Sequence, residues 1–245
     1  MLTEDERLLF DRLAVFAGGC DVGAVCADDH VDHQTVADLL AALVDKSMVV
    51  ADRRGPHARY ALLETLRQYG EERLGDRSEL VVRRDRHLAH YAEVAHRADG
   101  QAKGAGYFEG VRVLAKEWDN LRAALDWAVA IGDATQASVL VEALLQFAVW
   151  QQRHELGEWA ERVVELDGAG AGAYAVAAMF ATLRGDHRRA LHLAGRGIEM
   201  GTTATRSGER LCVEMAGRPL WFGRALWFLG RVAECWATVQ GWERP

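Results

Sequence analysis

Proline is scarce in this sequence, three residues in 245 against 24 glycines. With so few obligate helix breakers, long helices can run uninterrupted, and a mainly α-helical fold is the expectation. Long hydrophobic runs are missing too. No stretch approaches the roughly 20 apolar residues of a membrane-spanning helix. The N-terminus carries charge from Glu4 onward, unlike a signal peptide. These two absences lead to the expectation of a cytoplasmic protein with no membrane partner. The four cysteines, Cys20, Cys26, Cys212 and Cys235, contain no CxxC pair, so neither a disulfide scaffold nor a zinc module is indicated. Basic charge is in deficit, with 29 Lys and Arg against 36 Asp and Glu and a net charge of −7. Such a balance argues against a chain built mainly to neutralise phosphates. Tryptophan is absent from the first 117 positions, and all eight residues lie at or after Trp118.

What is present divides unevenly. Residues 1–100 hold 19 acidic and 13 basic side chains, and the remainder 17 and 16. Two regions are expected, residues 1–99 and residues 107–245, separated by the small, polar stretch Gly100–Gly106.

In the first region, Thr3 followed by Glu6 is a capping-box signature ahead of Leu8, Leu9, Leu13, Val15 and Phe16 at helical spacing, with Gly18-Gly19 beyond. A short helix is expected over Val22–Ala27. A second amphipathic pattern over Thr35–Asp45 places Val36, Leu39, Leu40, Leu43 and Val44 on one face. Ser47–Ala51 and Ala58–Leu62 read as two strands joined by a turn containing Gly55-Pro56. Three short helices followed by a β-hairpin is the order of a winged helix. Helices follow around Leu66–Leu74 and over Ser78–Asp99.

The second region reads as helix throughout: Tyr107–Ala115, Glu117–Ile131, then three helix-turn-helix pairs hinged near residues 153, 185 and 230. The first hinge interval, 32 residues, is close to the period of about 34 in tetratricopeptide repeats; the second, 45, is not. A degenerate tetratricopeptide-like α-solenoid is the expected architecture.

Candidate chemistry is thin. A phosphate-binding loop needs Gly-x4-Gly-Lys-Ser/Thr, and neither Gly18–Gly23 nor Gly100–Gly106 supplies the Lys followed by Ser or Thr. No nucleophile elbow or Cys–His motif is visible, so the expectation is a non-enzyme with no cofactor of its own. The pairs His30/His33 and His87/His90 have i, i+3 spacing that could share a metal, but the first reads as an acidic surface loop and the second as packing histidines. A winged helix invites DNA, its third helix entering the major groove and its wing touching backbone. Here the outward positions of that helix are Gln34, Ala37, Asp38, Ala41 and Asp45, acidic or methyl-bearing where phosphates and base edges want Arg, Lys, Asn or Gln. Basic candidates for nucleic-acid or partner contact are Arg53, Arg54 and Arg59 on the wing and Arg83 and Arg84 beyond it. DNA contact is therefore allowed but not favoured. Trp150, Trp159 and Trp227 are candidate aromatics lining a solenoid groove for a protein partner, against the plainer reading of core packing.

Four strings occur in one order: Leu13–Cys20 (LAVFAGGC), Asp38–Val50 (DLLAALVDKSMVV), Arg59–Tyr69 (RYALLETLRQY) and Glu117–Trp127 (EWDNLRAALDW), with Trp159–Arg162 (WAER) continuing them. Over residues 2–166 the chain resembles the region that follows the NTPase core in large bacterial STAND-type, NB-ARC-like regulators, a group that includes LuxR-type transcriptional regulators and ATPases. The resemblance implies a winged helix packed on a nucleotide-binding core, acting as a lid over nucleotide, followed by a tetratricopeptide-like sensor. ATP is expected only for that core, whose phosphate loop and acidic Walker B strand this sequence lacks. The expected function is a non-catalytic regulatory and protein-interaction segment coupling a helical-repeat sensor to an NTPase core outside this chain, a fragment, split gene product or remnant. The alternative is a DNA-binding winged-helix transcriptional regulator.

Overall fold

The computed structural model describes residues 1–22, 33–54, 58–102 and 105–201. The order of elements is α1 (Glu4–Leu13), α2 (His33–Asp45), β1 (Val50–Asp52), β2 (Arg59–Ala61), α3 (Glu64–Asp76) and α4 (Leu80–Ala102). Then come α5 (Tyr107–Lys116), α6 (Trp118–Ala130), α7 (Ala134–Trp150), α8 (Glu155–Val164), α9 (Ala171–Leu183) and α10 (His187–Gly201). The chain is mainly helical, with a winged helix at its N-terminus. It divides into two compact units. Among the described residues, one comprises Met1–Arg97 and Arg112–Trp127; the other comprises Ala98–Val111 and the helices from Ala128 to Gly201.

In the first unit, the Thr3 hydroxyl accepts from the Glu6 amide at 3.2 Å while the Glu6 carboxylate accepts from the Thr3 amide at 2.7 Å. Both orphan donors are satisfied and the start of α1 is fixed. α1 stops at Leu13, earlier than the apolar spacing suggested, because Ala14 caps it and the chain turns toward Gly18-Gly19. Gly19 has φ +74, and a Cβ there would lie 2.8 Å from the Tyr60 carbonyl, so glycine is required on both counts. That close approach lets Cys20 and Tyr60 exchange two backbone hydrogen bonds of 2.8 Å. The hairpin register pairs Val50 with Ala61, Ala51 with Tyr60 and Asp52 with Arg59. Leu9, Phe10 and Leu13 of α1 meet Val36, Leu40 and Leu43 of α2, with Cys20, Val49 and Tyr60 closing the core.

α4 runs 23 residues and continues through Gly100 to Ala102. The later helices form pairs joined by tight turns. Asp133 caps α7 through the Gln136 amide (2.9 Å), directly after Gly132. Asp186 accepts from the Arg189 amide (3.0 Å), directly after Gly185. α9 is built from Ala, Gly and a few larger residues and is buried on nearly every side. Small side chains there admit α7, α8 and α10 to close contact: a Cβ on Gly157 of α8 would come 2.6 Å from the Phe180 Cβ of α9, and one on Gly172 would collide with the Glu142 carboxylate of α7. The predicted pairs hinged near residues 153 and 185 match α7–α8 and α9–α10. All but Val22 of the predicted helix over Val22–Ala27, Gly55-Pro56 and the third pair around residue 230 lie outside the described residues.

Candidate nucleic-acid interface

The exposed face of α2 carries Gln34, Thr35, Asp38, Ala41 and Asp45, with Ala37 half-buried. The Gln34 amide donates to Asp38 at 3.0 Å, so one of the few base-reading groups on that face is engaged by the neighbouring acid. Two carboxylates over one face oppose a phosphate backbone.

The five candidate arginines sit in different environments. Arg53 is exposed and, among the described residues, makes no ion pair. Arg54 reaches back to Asp52 through Nε (2.9 Å) and Nη2 (2.7 Å), and its amide also donates there (3.0 Å). These bonds hold the Asp52 carboxyl down to about 2. Arg54 nonetheless stays on the surface with a side chain 90% exposed, so the pair contributes little to stability.

Arg59 points the other way, into the protein. Its Nη1 and Nη2 donate to the two oxygens of Glu117 at 2.5 and 2.8 Å, its Nε donates to the Gly18 carbonyl at 2.9 Å, and Nη2 also reaches the Lys116 carbonyl at 3.3 Å. Glu117 accepts two further bonds, from the Tyr91 hydroxyl (3.2 Å) and the Asn120 amide (2.9 Å). Asn120, fully buried, also donates to the Gly19 carbonyl (2.8 Å) and accepts from the Gly18 amide (3.2 Å). Burial alone would raise the Glu117 carboxyl, but Arg59 and Asn120 bring it below the usual carboxylate range. Burial also raises the Tyr91 phenol and the Cys20 thiol, leaving both neutral and inert.

Arg83 meets Glu79 at 3.3 Å and is largely buried. Arg84 pairs with Glu71 at 3.1 Å and lies over the Trp127 ring at 5.1 Å, while the Trp127 indole donates to Asp85 at 2.8 Å. Arg59 and Arg84 thus stitch the fold together, and the wing arginines left on the surface are Arg53 and Arg54.

The aromatics separate as sharply. Trp159 is 6% exposed and belongs to the core, whereas Trp150, at the end of α7, is 67% exposed. Trp227 lies outside the described residues. His87, read from the sequence as a packing histidine, is buried against Phe16 (5.2 Å) and Tyr91 (4.5 Å), and burial pushes it down to about 4. His90 is half-buried and also lowered by burial. His30 lies outside the described residues, and His33 opens α2. Among the described residues no cluster of three His, Cys, Asp or Glu is placed to hold a metal ion, and no helix is long and apolar enough to cross a membrane.

Sequence reasoning did not single out Glu117, Asn120 or Tyr91. The available signal was their company. Gly18-Gly19, Arg59, Glu117 and Asn120 fall in three of the four strings that carry the resemblance, and the structure brings those strings to one point.

Residues 2–75 match the winged helix-turn-helix domain family, in agreement with the helix order, hairpin and register. Over 174 residues, 67% of this chain, it is 40% identical to proteins of Mycobacterium tuberculosis and Mycobacterium bovis, each named "Putative HTH-type transcriptional regulator". An uncharacterized protein of Mycobacterium tuberculosis is 36% identical over 108 residues, 41% of this chain and 27% of its own length. The chain spans 19% of the length of the named regulators it matches. No solved structure matches it.

Proposed function

We propose that this chain serves as a segment of a DNA-binding transcriptional regulator, and that its winged helix is a regulatory contact module for protein instead of the element that reads bases. The regulator reading is supported by the winged helix-turn-helix match and the similarity to proteins named as regulators. These comparisons favour a DNA-binding regulator over coupling to an NTPase core. The finer reading is carried by one observation: the exposed face of α2 presents Asp38 and Asp45 where a groove-reading helix would present cations. In this proposal the helix pairs form a degenerate tetratricopeptide-like scaffold, non-catalytic, and the module's partner is another protein surface of the same regulator.

A second reading, direct DNA contact by the wing, is favoured by the exposure of Arg53 and Arg54. Fluorescence anisotropy with labelled duplex DNA across a salt series separates the two. The proposal expects no binding at low salt. Salt-dependent binding that Arg53→Ala/Arg54→Ala abolishes would overturn it in favour of the wing.

A further inference from the structure

α10 is the most basic helix described. It carries Arg188, Arg189, Arg196, His187 and His192 against a single acid, Glu199. Arg189, His192 and Arg196, at i, i+3 and i+7, share one face. That face lines a cavity of about 360 Å³, within the size range of small-ligand pockets. Its apolar wall is Val164, Leu193 and Tyr174, and the Tyr174 hydroxyl is turned aside to the Val164 carbonyl at 3.3 Å.

The arginines are arranged differently. Arg189 is held by Glu161, which accepts from Nη2 at 2.6 Å and Nε at 3.2 Å, leaving Nη1 without a bond among the described residues. A guanidinium fixed in this way loses little freedom on meeting a second anion. Arg196 is half-exposed, and its carboxylate neighbour, Glu199, stands at 3.9 Å, the outer limit of an ion pair. Glu165 in the lining and the Glu161 carboxylate on Arg189 both oppose an incoming anion, so the cavity suits a single anionic group better than a polyanion.

We propose that this cavity is a binding site for one compact anionic group, a carboxylate or a phosphate, carried on a small apolar body. The anion sits between Arg189, His192 and Arg196, and the apolar part rests on Val164 and Leu193. The inference stands apart from the regulatory reading above, which neither requires nor predicts it.

Calorimetric titration of the full chain at low ionic strength with butyrate and, separately, with inorganic phosphate tests it. Saturable binding of at least one probe is expected, and the probe that binds identifies the source of the anion. Arg196→Gln, on the surface and harmless to the fold, should weaken affinity about tenfold, as should Arg189→Gln, while Arg122→Gln on α6 should leave it within about twofold. No heat with either probe at millimolar concentration would overturn the proposal. So would affinity unchanged in Arg196→Gln, or binding of duplex DNA through these arginines without binding of either small anion.

Discussion

Arg59 and Glu117, 58 positions apart in sequence, form a two-pronged ion pair in which each guanidinium nitrogen of the fork finds its own carboxylate oxygen. Both side chains are largely shielded, at 17% and 10% exposure. The pair fixes a wing strand to residues just before α6, and its cost of removal is asymmetric. Glu117→Ala leaves a guanidinium shielded from water without its counterion, and should destabilise the protein by about 3–5 kcal/mol. Urea denaturation of the single variants and of an Arg59→Leu/Glu117→Leu double variant measures the asymmetry. The double variant should lose less than either single one.

His87 gives the protein an acid-side weakness. Its folded value of about 4 lies below the ordinary 6.5, so the unfolded chain takes up a proton first as pH falls. Stability from this group is complete above 6.5 and is lost as pH drops from 6.5 toward 4, a total of about 3 kcal/mol. Urea midpoints at pH 7 and pH 5 should therefore differ, and His87→Met should reduce that difference.

Two glycines in helices should respond to alanine with opposite sign. Gly157→Ala places a methyl against the Phe180 Cβ at the α8–α9 crossing and should cost about 1–3 kcal/mol. Gly75→Ala in α3 meets open space and should stabilise by about 0.5–1 kcal/mol. Thermal melts of the two variants suffice to compare them.

The acidity of α2 can be reversed on the surface. Asp38→Lys/Asp45→Lys should confer measurable low-salt affinity for duplex DNA if the acids are what keep this helix from it. Each lysine reaching a phosphate adds about 0.9 to the slope of log affinity against log salt. Anisotropy unchanged from the parent would show that shape, not charge, excludes the duplex.

Local features were legible in the sequence because they depend on neighbours a few residues away. Thr3 and Glu6 announced the capping box, Val36, Leu40 and Leu43 the buried face of α2, and the hinge near residue 185 the turn between α9 and α10. The strands came out shorter than their apolar runs, three residues each, since Ser47 takes φ +57 and spends Met48 and Val49 on leaving the turn and entering the core. The fate of the arginines was not legible. Arg53, Arg54 and Arg59 look alike in a basic run, and what separates them is Glu117, whose distance along the chain carries no local periodic signal. Trp150 and Trp159 pose the same problem: both sit in helices, and only the neighbouring helices decide that one is covered and the other bare.

The backbone bridge between Cys20 and Tyr60 places a 1%-exposed thiol beside the wing, with its sulfur 3.7 Å from the Tyr60 carbonyl. A thiol so placed reacts with a probe only after the strand beside it lifts away. Peptide-resolved labelling of Cys20 over time would therefore clock the opening of the hairpin, in the unmodified protein and without any engineered reporter.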